Sequence, residues 1–146
     1  MKNTIKEQQF AFQVKGIELL DLKLNMPEQP LSVQNTFHFN INLEQRINTE
    51  LKLVIVMVAV DVLNEDKETL LASMKASCIF EVANIDEFST ENAQQVALPD
   101  NILVMLNSVS ISTIRGLMFA QFKGTFLHNA ILPIIDPNSF IKNILK

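Results

Sequence analysis

Leu51-Lys52-Leu53-Val54-Ile55-Val56-Met57-Val58-Ala59-Val60-Asp61-Val62-Leu63 is the run that decides the fold. Its β-branched residues recur with a period of two, which is strand periodicity. Val54, Val56, Val58, Val60 and Val62 fall on one face, and Leu51, Leu53, Ile55, Met57 and Ala59 on the other. Both faces are apolar, so both are expected to be covered. At about 3.3 Å per residue the run spans roughly 40 Å, well beyond a usual strand of about 5–6 residues. It is too short for a spanning helix, which needs about 20 apolar residues, and it is interrupted by Lys52 and Asp61. Asn64-Glu65-Asp66-Lys67 reads as a polar turn. Leu70, Ala72, Met74, Ala76, Cys78, Phe80 and Val82 then alternate with mostly polar partners. The pair is a hairpin of two long antiparallel strands.

Upstream, Phe10, Phe12 and Val14 alternate with Ala11, Gln13 and Lys15, and Leu20, Leu22 and Leu24 alternate with Asp21, Lys23 and Asn25. One long strand with a kink or bulge near Gly16 accommodates both halves. Met26-Pro27-Glu28-Gln29-Pro30 ends it, because two prolines do not fit inside a ladder. Phe37, Phe39, Ile41 and Leu43 alternate with His38, Asn40, Asn42 and Glu44, the clearest one-sided strand in the chain.

Downstream of Ile85 the pattern changes. Asp86 to Asn92 is polar, and Ser89-Thr90-Glu91 is suited to opening a short helix. After Leu98, Pro99 or Asp100 starts a long helix. Two overlapping stripes at helical spacing run along it: Ile102, Leu106, Val109, Thr113 and Leu117, and Leu103, Leu106, Ser110, Ile114 and Leu117. The helix is expected to reach about Phe122 and to end near Gly124. Gly116 inside it costs about 1 kcal/mol relative to Ala, and a close helix–helix approach is one reason to keep it. Asp136-Pro137 caps a last helix with Phe140, Ile141, Ile144 and Leu145 as its apolar face. The layout is α+β: a four-stranded antiparallel meander followed by a long helix and a short C-terminal helix. It is read as one domain over 1–146, with 1–9 polar and frayed.

Composition sets the limits on function. The chain has 146 residues, 12 basic against 16 acidic, and a net charge of −4. No basic patch is present, so nucleic acid is not an expected partner. Mean hydropathy is +0.20, high for a small chain in which no membrane span is obvious, so the apolar surplus needs another destination. No secretory signal is apparent near the start, and Cys78 is the only cysteine. A soluble, cytoplasmic protein in a reducing compartment is the expectation. His38 and His128 lie far apart, and Asp86, Glu87 and Glu91 have no histidine among them, so no metal site is expected. Cys78 aligns with Ala76 and Phe80 as a buried thiol. Ser108, Ser110, Ser112 and Thr113 suit helix packing or bonding back to helix carbonyls. The three glycines stand apart, so there is no phosphate loop. Neither an enzyme nor a cofactor is expected. For the doubly apolar strand, a helix covers one face. Either a partner subunit covers the other or it forms a groove for apolar ligands.

Four segments, in order along nearly the whole chain, give it a resemblance to SecB, the cytoplasmic chaperone family of bacterial protein export. The first is Phe12-Gln13-Val14 through Asp21 to Met26-Pro27. The second is the apolar hairpin closing on Ile79-Phe80 and Ile85. The third is Asn101-Ile102-Leu103. The fourth is Lys123-Gly124-Thr125-Phe126 followed by Leu132-Pro133-Ile134-Ile135-Asp136.

The resemblance implies a homotetramer, a dimer of dimers, with the long helices sandwiched between sheets. Leu106, Val109, Thr113 and Leu117 would then lie in the oligomer interface. It implies an ATP-independent holdase for unfolded client polypeptides, binding them in a groove lined by Phe37, Phe39, Ile41, Phe140 and Ile144. Clients would pass to the translocation ATPase SecA, with Asp21 on the motor-binding face. Two departures stand out. The stretch from Asn101 to Gly124 is about six residues longer than the family's, either with an added Ile114-Arg115-Gly116 or with Arg115-Gly116 aligned on the family's basic-Gly turn. Asn25 and Ser73 replace carboxylates of the motor-binding face. The alternatives are a SecB-like chaperone dedicated to an antitoxin or other single partner, and a structural adaptor oligomer without chaperone activity.

Overall fold

The computed structural model of the chain describes residues 12–88 and 96–140. Four strands form one antiparallel sheet: β1 (Phe12–Leu24), β2 (His38–Asn48), β3 (Leu53–Leu63) and β4 (Leu70–Val82). A 3-10 turn (Ile85–Phe88), a long helix α1 (Asp100–Phe122) and a second 3-10 turn (Pro137–Phe140) follow. The expected openings at Phe10 and Ser89-Thr90-Glu91, the frayed stretch 1–9, and Ile141, Ile144 and Leu145 lie outside the described residues.

The strand order is β1-β4-β3-β2. β2, β3 and β4 form the expected meander, but β1 pairs with β4 rather than with its sequence neighbour β2, giving a Greek-key arrangement. The connection explains the difference. Residues 25–37, stiffened by Pro27 and Pro30, are too long and too proline-rich for a hairpin turn. They carry the chain to the far edge and are pinned to the β3–β4 turn. Asn35 Nδ2 donates to Asn64 Oδ1 at 3.0 Å, and the Thr36 amide donates to Glu65 Oε1 at 3.0 Å. That turn is locked by Asp66, whose carboxylate accepts from the amides of Glu68 and Thr69 and from the Thr69 hydroxyl.

β1 carries two register shifts, between Val14 and Gly16 and between Leu19 and Asp21. Each inserts one residue, and one residue moves every following side chain to the opposite face. The apolar phase therefore runs Phe12, Val14, then Ile17, Leu19, then Leu22, Leu24. Across the register these face Val82, Phe80, Cys78, Ala76, Met74 and Ala72, all buried. The bulge expected near Gly16 is present. The second was not expected, and it makes Leu20 the extra residue rather than a member of the inward row.

The inward face of β3 is fully buried, with Val54, Val56, Val58, Val60 and Val62 each at most 1% exposed. α1 packs over β3 and β4, burying Ile102, Leu103, Leu106, Ser110, Ile111, Ile114 and Met118. It starts where the sequence places it. Pro99 is the N-cap, and its carbonyl accepts from the amides of Ile102 and Leu103. It stops at Phe122, and Gly124 takes a φ of +80°, which glycine adopts without steric cost. Ser110 and Thr113 bond back to the carbonyls of Leu106 and Val109, as expected.

Covering is incomplete on three surfaces. On the inward face of β1, Val14, Ile17, Leu19 and Leu24 remain 40–49% exposed. On the outward face of β3, Leu53, Ile55, Met57 and Ala59 are only half-buried. On α1, Met105, Ser112, Gly116, Phe119 and Ala120 face outward. α1 is also long and apolar enough, by length and composition, to cross a membrane, a property the sequence reading missed. The side it buries packs on its own sheet.

Candidate functional site: an apolar cleft beside the edge strand

β2 is an edge strand, and its inward face points toward the chain segment that follows α1. Phe37, just before β2, and Phe39 and Ile41 within it lie on that side. Opposite them stand Pro133 and Ile135 from the segment and Phe140 from the last 3-10 turn. Together with His38 they line an open cleft of about 410 Å³. Phe37, Phe39, Ile41, Ile135 and Phe140 are half-buried and rest against the main core. Four of the five residues named from the sequence are thus gathered around one cleft, and the fifth, Ile144, lies outside the described residues. Pro133 and Ile135 are additions the sequence reading did not assign.

Phe140 is placed by Asp136. Its Oδ1 accepts from the Asn138 amide at 3.0 Å and from the Asn138 side-chain amide at 2.9 Å. This is N-capping with Pro137 at the first position of the turn, as the sequence indicates. The backbone bond, and then the side-chain bond, lower the Asp136 pKa below the ordinary carboxylate value.

A second, larger cleft of about 630 Å³ adjoins the first at Phe37. Its walls come from the β1–β2 connection, chiefly Met26, Leu31 and Val33, and from Phe126 after α1, with Glu28 and Asn129 among its polar residues. Sequence periodicity had no means of locating it, because loop residues carry no repeat.

The two clefts are open and mainly apolar, and they meet at Phe37 to form one trough. Each large apolar side chain moved from water into it would gain about 1.5–3 kcal/mol at full burial. Ser32 and Glu28 are in the lining of the larger cleft and His38 in that of the smaller, with no hydrogen bond joining them among the described residues. Among the described residues no group of three or more His, Cys, Asp or Glu side chains gathers to hold a metal.

The other residues named from the sequence lie elsewhere. Leu106 is 0% exposed and packs within its own chain, on the sheet side of α1. Val109, Thr113 and Leu117 are half-buried along the helix flank. After Asp100 the only charged residue in α1 is Arg115, so the outward side of the helix presents small and apolar groups. Asp21 sits on β1 opposite Lys75 of β4. Nearby, Ser73 donates to Asp61 at 2.8 Å and Lys15 lies 3.8 Å from Glu81. Acids and bases are therefore interleaved on the sheet's outward face.

No protein-family model matches the chain, and no curated protein does. Among solved structures, the fold matches a Mycobacterium tuberculosis SecB-like chaperone in complex with a ChAD peptide from the HigA1 antitoxin. The TM-score is 0.62 at 15% identity, over 85% of this chain and 89% of that one. The chain has the SecB-like fold, and the resemblance read from its sequence motifs is present in three dimensions.

Proposed function

We propose that this protein is an ATP-independent holdase that binds extended apolar polypeptide segments in the trough beside β2. The observation that carries the reading is the cleft itself. Phe37, Phe39, Ile41, Pro133, Ile135 and Phe140 form an apolar, open channel that continues at Phe37 into the larger cleft. A channel open along its length suits a chain better than a compact ligand, for which enclosure and converging polar groups are the rule. The matching fold belongs to a chaperone that holds a peptide. No catalytic step and no cofactor enter this reading, and the site of action is the cytoplasm.

The working form is a homo-oligomer, a tetramer built as a dimer of dimers. Two uncovered surfaces support it: the inward side chains of β1 and the uncharged outward stripe of α1 flanked by Val109, Thr113 and Leu117. A long apolar edge strand left open invites pairing with another chain. Several troughs on one particle would add avidity for a long client.

Two destinations for the client follow from the family resemblance: export through SecA, and support of a dedicated partner such as an antitoxin. The outward sheet face favours the second. Asp21 stands opposite Lys75, and Ser73 is engaged with Asp61, so the acidic field expected for a motor is diluted. The test of the shared claim is aggregation of a chemically denatured client diluted into buffer with the purified protein. Suppression at stoichiometric ratio without nucleotide supports it. Unchanged light scattering with every client tried removes it.

A further inference from the structure

The wall of the cleft that faces β2 is irregular backbone held at a few points, among them Ala130, Ile135 and Phe140 against the core. Residues 130–136 carry no helix or strand. Leu132, 1% exposed, anchors the segment in the core, while Ile134 beside it is 97% exposed. Arg115 supplies a further tie, from the helix. Its Nε donates to the Leu132 carbonyl at 2.7 Å, and its Nη2 donates to the Pro133 carbonyl at 2.8 Å. One planar fork thus holds two successive carbonyls, a geometry a lysine cannot reproduce. No carboxylate lies within ion-pair distance of Arg115 among the described residues. Its charge is spent on these carbonyls, and hydrogen bonds from a charged donor are the stronger kind.

We infer that Arg115 is a positioning residue for the peptide trough: by clamping the carbonyls of Leu132 and Pro133 it sets the wall formed by Pro133, Ile135 and Phe140 at its working distance from Phe39 and Ile41. The inference rests on the reading of the trough as the client site. Arg115 lies one turn ahead of Met118 on α1, and its guanidinium is level with the wall it holds. With the clamp gone, the wall samples positions that do not close on a client. Apparent affinity falls in proportion to the fraction that still does.

The chain contains no tryptophan or tyrosine, so Ile134→Trp adds a single fluorescent reporter on the wall, outside the cleft lining. In that background Arg115, Arg115→Lys and Arg115→Met are compared by tryptophan anisotropy decay, by far-UV circular dichroism, and by titration of a fluorescein-labelled peptide of alternating Phe and Ser. The expected result is graded. The Met variant frees the reporter and binds the peptide at least tenfold more weakly, the Lys variant lies between, and the helix signal is unchanged. A reporter no more mobile in the Met variant overturns the clamp, and so does a freed reporter with unchanged peptide affinity. Should the Met variant lose its helix signal, the Lys variant decides alone: full peptide affinity there overturns the proposal. If the parent chain binds no peptide, the client reading itself falls and takes this role with it.

Discussion

Gly116 lies in the outward stripe of α1, and a Cβ built there meets nothing within 4 Å. Within one chain, Gly116→Glu is therefore favourable. A glycine inside a helix costs about 0.8–1.0 kcal/mol relative to Ala, and Glu ranks close to Ala. The net gain is about 0.5–1 kcal/mol, which raises the melting temperature by roughly 1–4 °C for a domain of this size. In the proposed oligomer the sign reverses. The neighbours of Gly116 one turn away are Ser112, Thr113, Phe119 and Ala120, none of which is able to neutralise a carboxylate. An unpaired charge buried in such a seam costs about 3–5 kcal/mol, which is about two to four orders of magnitude in the association constant. Size-exclusion chromatography with light scattering, over a range of protein concentrations, reads the mass directly, and thermal melts read the chain. The expected outcome is an oligomeric parent and a dissociated Gly116→Glu variant. The reasoning is refuted if the variant keeps the parent's mass and melts higher, because the stripe then faces water in the assembly. A parent that is monomeric at micromolar concentration refutes the oligomer outright.

Three further outcomes follow from particular contacts. Gln45 Nε2 donates to Asn107 Oδ1 at 2.8 Å, while Asn107 Nδ2 is buried without a partner. Gln45→Leu leaves both ends of a fully buried amide unpaired and should cost about 1–3 kcal/mol in urea denaturation, whereas Asn107→Leu should cost less than Gln45→Leu; equal costs would contradict the asymmetry. Leu20 is the extra residue of the second bulge, so deleting it leaves Leu19, Leu22 and Leu24 in plain alternation on the inward face and should change stability by less than about 1 kcal/mol in urea denaturation; a larger loss would argue that Leu20 is not the extra residue. The Thr69 hydroxyl, then the amides of Thr69 and Glu68, lower the Asp66 pKa below its ordinary value. The β3–β4 turn is therefore supported above the ordinary Asp pKa of about 3.9 and loses that support as pH falls toward the lowered folded value. Thr69→Val should raise the Asp66 pKa, measurable by carboxyl NMR titration; an unshifted titration would exclude Thr69 as the main cause.

The parts of the fold legible in the sequence are those set by local periodicity. β3 with its two apolar faces, the β3–β4 hairpin and the limits of α1 at Pro99 and Phe122 all follow from runs longer than any competing signal. The pairing of β1 with β4 was not legible, because a strand's partner depends on contacts across some sixty residues of chain rather than on its own pattern. Nor was the second bulge, since Leu19-Leu20 offers two leucines and nothing local says which points inward. The buried side of α1 contains Asn107 and Ser110, so the apolar stripe is broken and its centre is hard to place. Part of the trough showed in advance because Phe37, Phe39 and Ile41 are strand-spaced, and family resemblance supplied Phe140. The larger cleft, Pro133, Ile135 and the Arg115 clamp depend on irregular segments brought together only by the fold.

The central claim is that a client lies along the inward side of β2, between Phe39 and Ile41 on one wall and Ile135 and Phe140 on the other. Isoleucine-methyl NMR of the intact protein, titrated with an unstructured apolar peptide, tests this without altering a residue. Ile41 and Ile135 line the cleft, while Ile55 and Ile79 lie across the sheet on its outward face. The account predicts saturable shifts at the Ile41 and Ile135 methyls with Ile55 and Ile79 unmoved. Shifts confined to Ile55 and Ile79, or none at any methyl up to millimolar peptide, would contradict it.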